Sequence, residues 1–206
     1  MRSISQTILN ESFNEEDKEL FKKFSIVIRN DYKDINSQRF IWEYDQKIGG
    51  YGGYAAPLNP TINPFNRLGD YRNVFRSLQY ARCDMFFCNR PRNIILDASL
   101  HIECLVKLVL SKYKIFSFIH NKRELGKNIE QLYKDRIIDE EMYYRLDNIR
   151  KIMNLAKHDT DSKEKITFDY MDAIIFYFEI RKIGLELLKL LNRPSYNKIY
   201  EINEEY

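Results

Sequence analysis

The sequence is poor in the residues that most often build metal, redox or disulfide sites. Its 206 residues contain only three cysteines and three histidines. Cys83, Cys88 and Cys104 form no CxxC pair, and their odd number fits a reducing cytoplasm better than a disulfide-bonded secreted protein. No HxxxH or HxxE spacing occurs. We therefore predict a cytoplasmic protein with no metal and no cofactor.

Long apolar runs and a strong net charge are also missing. No stretch of 18 apolar residues exists, and the best candidate, "AIIFYFEI" at 173–180, is short and contains Glu179. The segment "MRSISQTILNESFNEEDKEL" lacks the apolar core of a secretion signal. A net charge of only +3 argues against strong non-specific nucleic-acid binding but permits local basic faces. We predict no membrane segment.

Glycine and proline are scarce and concentrated in one place. The stretch "GGYGGYAAPLNPTINPFNRLG", at 49–69, holds five of the seven glycines and three of the five prolines, which indicates a loop. A phosphate-binding loop is disfavoured, because no GK[ST] follows and no strand–turn–helix context is visible. The loop divides an N-terminal arm, 1–48, from a larger unit, 70–192. A polar tail, 193–206, ends the chain.

Apolar residues at three- and four-residue spacing predict helices along most of the chain. The predicted ranges are 15–34, 70–88, 92–112, 121–135, 139–158 and 168–191. The segment 37–48 fits either a helix or a strand, and we expect Trp42 to anchor it in a core. Asn14 and Asp139 are predicted helix caps, and Thr167 is expected to start the last helix. The sequence thus predicts an all-α fold, with four to five helices in a bundle and an N-terminal helical arm.

The helix predicted at 139–158 carries the most suggestive polar pattern. Its apolar stripe consists of Met142, Leu146, Ile149, Met153 and Ala156. Beside the stripe, Arg150, Asn154 and His158 follow one another at four-residue intervals, so successive side chains lie one turn apart. Lys151 and Lys157 add positive charge near this row. Such a row can contact a phosphate or a protein partner.

Two segments resemble the HEPN domains of prokaryotic toxin–antitoxin, anti-phage and RNA-processing proteins. "LDNIRKIMNLAKHD", at 146–159, is similar to their motif helix, in which an arginine precedes a histidine by four to six intervening residues. "LHIECLVKLVL" (100–110) is similar to their first helix, where Glu103 and Lys107 match a recurrent pair. The resemblance covers about 92–191. It implies a helical bundle, dimerisation with two motif helices across a shared cleft, and RNA as the substrate of active members.

The motif departs from the family pattern at its arginine. With four intervening residues, Met153 stands where the arginine belongs, while Asn154 and His158 match. Arg150 lies just outside the usual spacing, and Lys151 lies within it. The tyrosine that follows the histidine in some subfamilies is replaced by Asp159 and Thr160. Metal-independent RNA cleavage needs a histidine for proton transfer and a cationic fork for the phosphate, so the departures favour a degenerate site.

Two further groups have alternative explanations. Arg72 and Arg76 share a predicted helix face with Tyr80, within a stretch rich in arginine. Arginines beside aromatic residues suit RNA, and they suit salt bridges in a protein interface equally well. Asp97 precedes His101 by one helical turn, so we predict a structural pair rather than a metal site.

Two functions remain open from the sequence. The first is a HEPN-like module that binds RNA or a partner in a conflict system. The alternative is a metal-independent endoribonuclease that uses His158, with Asn154 and Arg150. In either case we expect a homodimer or a complex with a cognate protein.

Overall fold

All regular secondary structure in the described part of the chain is helical. The computed structural model describes residues 13–30, 35–48, 68–88, 90–113, 124–158 and 168–192. Within these ranges there are seven α-helices and no strand. They are α1 (Glu15–Asn30), α2 (Ile35–Lys47), α3 (Leu68–Cys83), α4 (Pro91–Lys112), α5 (Leu125–Lys134), α6 (Glu140–His158) and α7 (Tyr170–Asn192). A π-helical turn, Asp84–Cys88, extends α3.

The all-α prediction is confirmed, and the segment that could be helix or strand is the helix α2. The predicted loop, 49–69, lies outside the described residues except for its last two, which begin α3. The polar tail, 193–206, also lies outside them.

Side-chain caps determine where three of the helices begin. The Oδ1 atom of Asn14 accepts a hydrogen bond from the backbone N–H of Asp17 at 2.8 Å, before α1. Asp139 caps α6 in the same way, through the N–H of Met142 at 2.8 Å. Both predicted caps are therefore confirmed. Helix α7 begins after a different cap, Asp169, whereas Thr167 lies outside the described residues.

The turn from α5 to α6 reverses the chain in five residues. Arg136 has φ = 56°, the left-handed conformation that commonly ends a helix. The N–H of Ile137 bonds the carbonyl of Leu132 at 3.0 Å, and the N–H of Arg136 bonds that of Tyr133 at 2.9 Å. This pair of backbone hydrogen bonds is a Schellman motif, and it sets the direction in which α6 begins.

Helices α4 and α7 form the centre of the fold and make the most extensive contact in it. Helix α3 packs along α4, α5 and α6 lie together beside α4, and α1 contacts α7. Nearly every residue of α7 from Tyr170 to Ile183 is buried. A helix that is apolar almost all round must be covered on all sides, and α7 is.

The N-terminal arm is held to α7 by aromatic side chains. The ring of Phe178 lies 4.7 Å from that of Tyr44 and 5.8 Å from that of Phe21, measured between ring centroids. Phe40 and Ile41 complete the buried face of α2. The expectation that Trp42 anchors this segment was wrong, because Trp42 is 48% exposed. The two preceding residues, Phe40 and Ile41, occupy the core-facing side of the helix.

Buried ion pairs connect α7 to its neighbours. The Nε atom of Arg145, on α6, lies 2.9 Å from Oε1 of Glu179, and both side chains are buried. The Nη1 atom of Arg145 also bonds Glu186 at 2.9 Å. On the other side, Nε of Arg181 lies 2.9 Å from Oδ1 of Asp45 on α2, again within the core.

In the described part of the chain, no helix combines the length and apolar character needed to cross a bilayer.

The Arg145 pair provides a direct test of the packing of α6 on α7. Replacing Arg145 by alanine leaves the carboxylate of Glu179 buried without a partner, so we expect the free energy of unfolding to fall by about 3 kcal/mol. Arg39→Ala is the matched control, since Arg39 forms an exposed pair with Glu43, and it should change stability little. Urea unfolding measures both variants. Equal losses in the two variants would contradict this packing.

Candidate functional site

Helix α6 presents the predicted motif residues on its surface and buries the predicted stripe. Met142, Leu146, Ile149, Met153 and Ala156 all lie in the core. Lys151, Lys157 and His158 are exposed, while Arg150 and Asn154 are half-buried. The structure therefore places the three predicted catalytic residues along one side of a single helix, next to the solvent.

His158 is the last residue of α6, and its exposed side chain is accessible to a ligand. Arg150 begins the same row two turns earlier, about 12 Å away along the helix axis at 1.5 Å per residue. The two residues are therefore not neighbours on the helix surface, where side chains three or four positions apart lie side by side. The row therefore does not form a compact catalytic pair within one chain.

Asp147 forms ion pairs with two cationic side chains of this face, Arg150 and Lys151. Its Oδ1 atom accepts hydrogen bonds from Nε of Arg150 at 2.8 Å and from Nη2 at 2.7 Å. Its Oδ2 atom lies 2.7 Å from Nζ of Lys151. Partial burial acts to raise the pKa of Asp147, but the hydrogen bonds from Lys151 and Arg150 outweigh it and hold the pKa below its usual value. Asp147 is therefore a carboxylate with both oxygens engaged.

The sequence interpretation missed Asp147. Its spacing of three residues to Arg150 and four to Lys151 is the spacing at which helical side chains pair, so the signal was present in the sequence. Arg150 and Lys151 are already paired with a carboxylate. The side of α6 that carries Arg150, Asn154 and His158 therefore has less free positive charge than its sequence indicates.

Helix α5 further restricts Arg150. A Cβ atom added at Gly126 would lie 3.1 Å from Cδ of Arg150 and 3.4 Å from its Nε. The side chain of Arg150 thus runs directly over the backbone of α5 near its start. This contact and the ion pair with Asp147 limit the positions that the guanidinium can take.

Met153 faces the interior, at the position where the motif spacing puts an arginine. Its side chain is only 4% exposed. The neighbouring row residue, Asn154, is half-buried on the adjacent side of the helix. The departure at 153 is therefore more than a change of residue type, since this position contributes to the core in the chain as it is folded.

The arginine–aromatic stretch is described in part. Arg76 and Tyr80 are both exposed on α3, one turn apart, whereas the side chain of Arg72 lies outside the described residues. Two other arginines of the stretch pair within the chain. Arg90 bonds Asp84 at 2.5 Å, and Nε of Arg82 lies 3.8 Å from Oδ2 of Asp45. Intramolecular pairing thus accounts for part of the arginine content.

The predicted Asp97–His101 pair is replaced by another contact. His101 is buried, and its Nδ1 atom lies 2.8 Å from the carbonyl oxygen of Val74, to which it donates in the neutral ring. Its Nε2 atom has no hydrogen-bond partner among the residues that the structure describes. Burial lowers the pKa of His101 to about 3, so the ring stays uncharged. The side chain turns toward α3 and α7 because that side of α4 is the core.

A close helix crossing explains the position of His101. A Cβ atom added at Gly184 would lie 2.7 Å from Nε2 of His101, so only glycine lets the ring approach α7 this closely. The role of His101 is to pack between helices. Among the described residues, no group of three or more His, Cys, Asp or Glu side chains could hold a metal ion.

Comparisons with models of known protein families, with curated protein sequences and with solved structures gave no match to this chain.

The orientation of Met153 can be tested by two substitutions of different polarity. Met153→Arg would bury a charge without a partner, so we expect it to lower the free energy of unfolding by about 3 kcal/mol or more. Met153→Leu conserves the volume and should cost less than about 1.5 kcal/mol. Thermal unfolding compares the two variants with the unmodified chain. An arginine tolerated as well as leucine would show that position 153 faces a site and not the core.

Proposed function

We propose that this protein is a HEPN-like helical module of a prokaryotic toxin–antitoxin or anti-phage system, which binds a protein partner and does not cleave RNA. The family assignment rests on the resemblance of the motif helix and of α4. The observation that carries the loss of catalysis is the burial of Met153 at the arginine position.

The chemistry of RNA cleavage supports the same conclusion. The charge that develops on the phosphorane is best stabilised by a cation with a fixed fork of donors. Arg150 is the nearest arginine to His158 along the motif, and its fork is bonded to Asp147. A phosphodiester would have to displace that carboxylate before it could bind. Lys151 offers only a point charge, and it contacts the same carboxylate.

The surface of α6 favours a protein over RNA as its partner. Tyr144 is 56% exposed and Leu155 is 40% exposed, on a helix whose other surface residues are charged or polar. Exposed aromatic and aliphatic side chains among polar ones are typical of protein interfaces. The acidic first turn, Glu140 and Glu141, would repel an RNA backbone laid along the helix. The partner is a second copy of the chain or a cognate protein.

A metal-independent endoribonuclease remains the second candidate, because one observation favours it. His158 is exposed at the end of α6, with Asn154 one turn before it, so proton transfer to a bound RNA is sterically open. In that case Arg150 would have to exchange Asp147 for the phosphate.

An RNA cleavage assay separates these functions. We expect the purified protein to leave single-stranded RNA intact in the presence of EDTA. The amount of intact RNA should be the same as with the His158→Ala variant. Because His158 is exposed, its replacement should leave the thermal unfolding temperature nearly unchanged, which makes it a clean control. EDTA-resistant cleavage that is lost in His158→Ala, and reduced in Asn154→Ala and Arg150→Ala, would establish the nuclease instead.

A further inference from the structure

The outward face of α6 carries a regular pattern of side chains. Residues at intervals of three, four, three, four and three lie on the side away from the core, and we call them the α6 stripe. It consists of Glu141, Tyr144, Asn148, Lys151, Leu155 and His158. Five of these are exposed and Asn148 is half-buried. Alternating three- and four-residue intervals form the contact seam of two packed helices.

The α6 stripe is complementary to the same stripe of a second, antiparallel copy. An antiparallel copy places Glu141 opposite His158, so that an acid faces an imidazole. It places Tyr144 opposite Leu155, which joins the two exposed apolar side chains of the stripe. In an antiparallel pair each of these contacts occurs twice, as a two-fold axis requires.

The centre of the stripe is compatible with this pairing. Asn148 would face Lys151 of the other copy, where the amide oxygen can accept from the ammonium group. Lys151 already donates to Asp147 at 2.7 Å, but an ammonium group has three N–H donors and can serve both. A parallel copy would instead set Lys151 against Lys151 and Glu141 against Glu141, which like charges disfavour.

We propose that a second copy of the chain packs antiparallel on the α6 stripe, with the two-fold axis passing between Ile149 and Arg150. This inference rests on the proposed function, since it names the partner of the same helix. It also departs from the arrangement that the family resemblance implies. The two His158 residues would lie 17 positions apart along the paired helices, about 26 Å, and not in one shared cleft.

The expected interface is small. One helix from each copy provides a contact at the low end of the range for specific interfaces, so we expect the dimer to dissociate at micromolar concentration. The geometry nevertheless makes a sharp prediction about cross-linking. Position 144 of one copy faces position 155 of the other, whereas equivalent positions 144 lie about 17 Å apart, beyond the reach of a disulfide.

Mixed disulfide formation tests this register. The full-length Tyr144→Cys and Leu155→Cys variants are oxidised separately and as an equimolar mixture, and the products are separated on a non-reducing gel. We expect a linked dimer in the mixture and none above background in either variant alone. The unmodified chain, which exposes Cys83, sets the background. Leu100→Cys mixed with Leu155→Cys is the matched control, because Leu100 has a similar exposure but lies on α4.

Other outcomes would overturn the register. Self-linking of Leu155→Cys would place the C-terminal ends of the two α6 helices together, as in the shared-cleft arrangement. No linkage in the mixture, with circular dichroism showing both variants folded, would exclude this pairing altogether. The RNA assay is independent of these results. Cleavage would refute the proposed function while the cross-linking pattern still decided how two copies associate.

Discussion

Two opposite charges inside α7 fix the arrangement of the helices around it. Glu179 and Arg181 lie in the middle of a mostly apolar helix, and both are buried. A buried charge without a partner costs several kcal/mol, so each must meet its counterion wherever the rest of the chain goes. Glu179 requires Arg145 of α6, and Arg181 requires Asp45 of α2. The two ion pairs thus attach the motif helix and the N-terminal arm to the same central helix.

This constraint determines which side of α6 faces the solvent. Once Arg145 is turned toward Glu179, the positions one and two turns further along, including Ile149 and Met153, are turned inward as well. His158 and Leu155 then face outward. The burial of Met153 and the exposure of the α6 stripe are consequences of one helix rotation. An arginine at position 153, as the HEPN motif spacing would require, would have to replace a core residue.

The sequence was sufficient to predict the helices, and also those helix ends that a neighbouring side chain caps. Asn14 and Asp139 cap the helices they were expected to cap, because a cap depends on the next three residues alone. The apolar stripe of α6 was also recognisable from its spacing. The prediction for Trp42 failed because the other face of α2 holds enough apolar residues to form the buried side without it.

The errors at the site arise from contacts between distant parts of the chain. His101 bonds Val74, which lies 27 positions earlier on another helix, so the nearby Asp97 was the wrong partner. Arg145 and Glu179 are 34 positions apart, and neither could be assigned a counterion without the packing of α6 on α7. Asp147 is different, because its pairing with Arg150 and Lys151 is local and could have been predicted. It lowers the free positive charge on this face of α6.

The central claim is that the outward face of α6 serves association and not catalysis. Sedimentation velocity over a range of concentrations tests it with two leucines of similar exposure, Leu155 on α6 and Leu100 on α4. We expect the unmodified chain and Leu100→Glu to move from the 24.9 kDa monomer toward twice that mass as concentration rises, while Leu155→Glu remains a monomer. A monomer at every concentration for the unmodified chain, or equal association of the two variants, would contradict it.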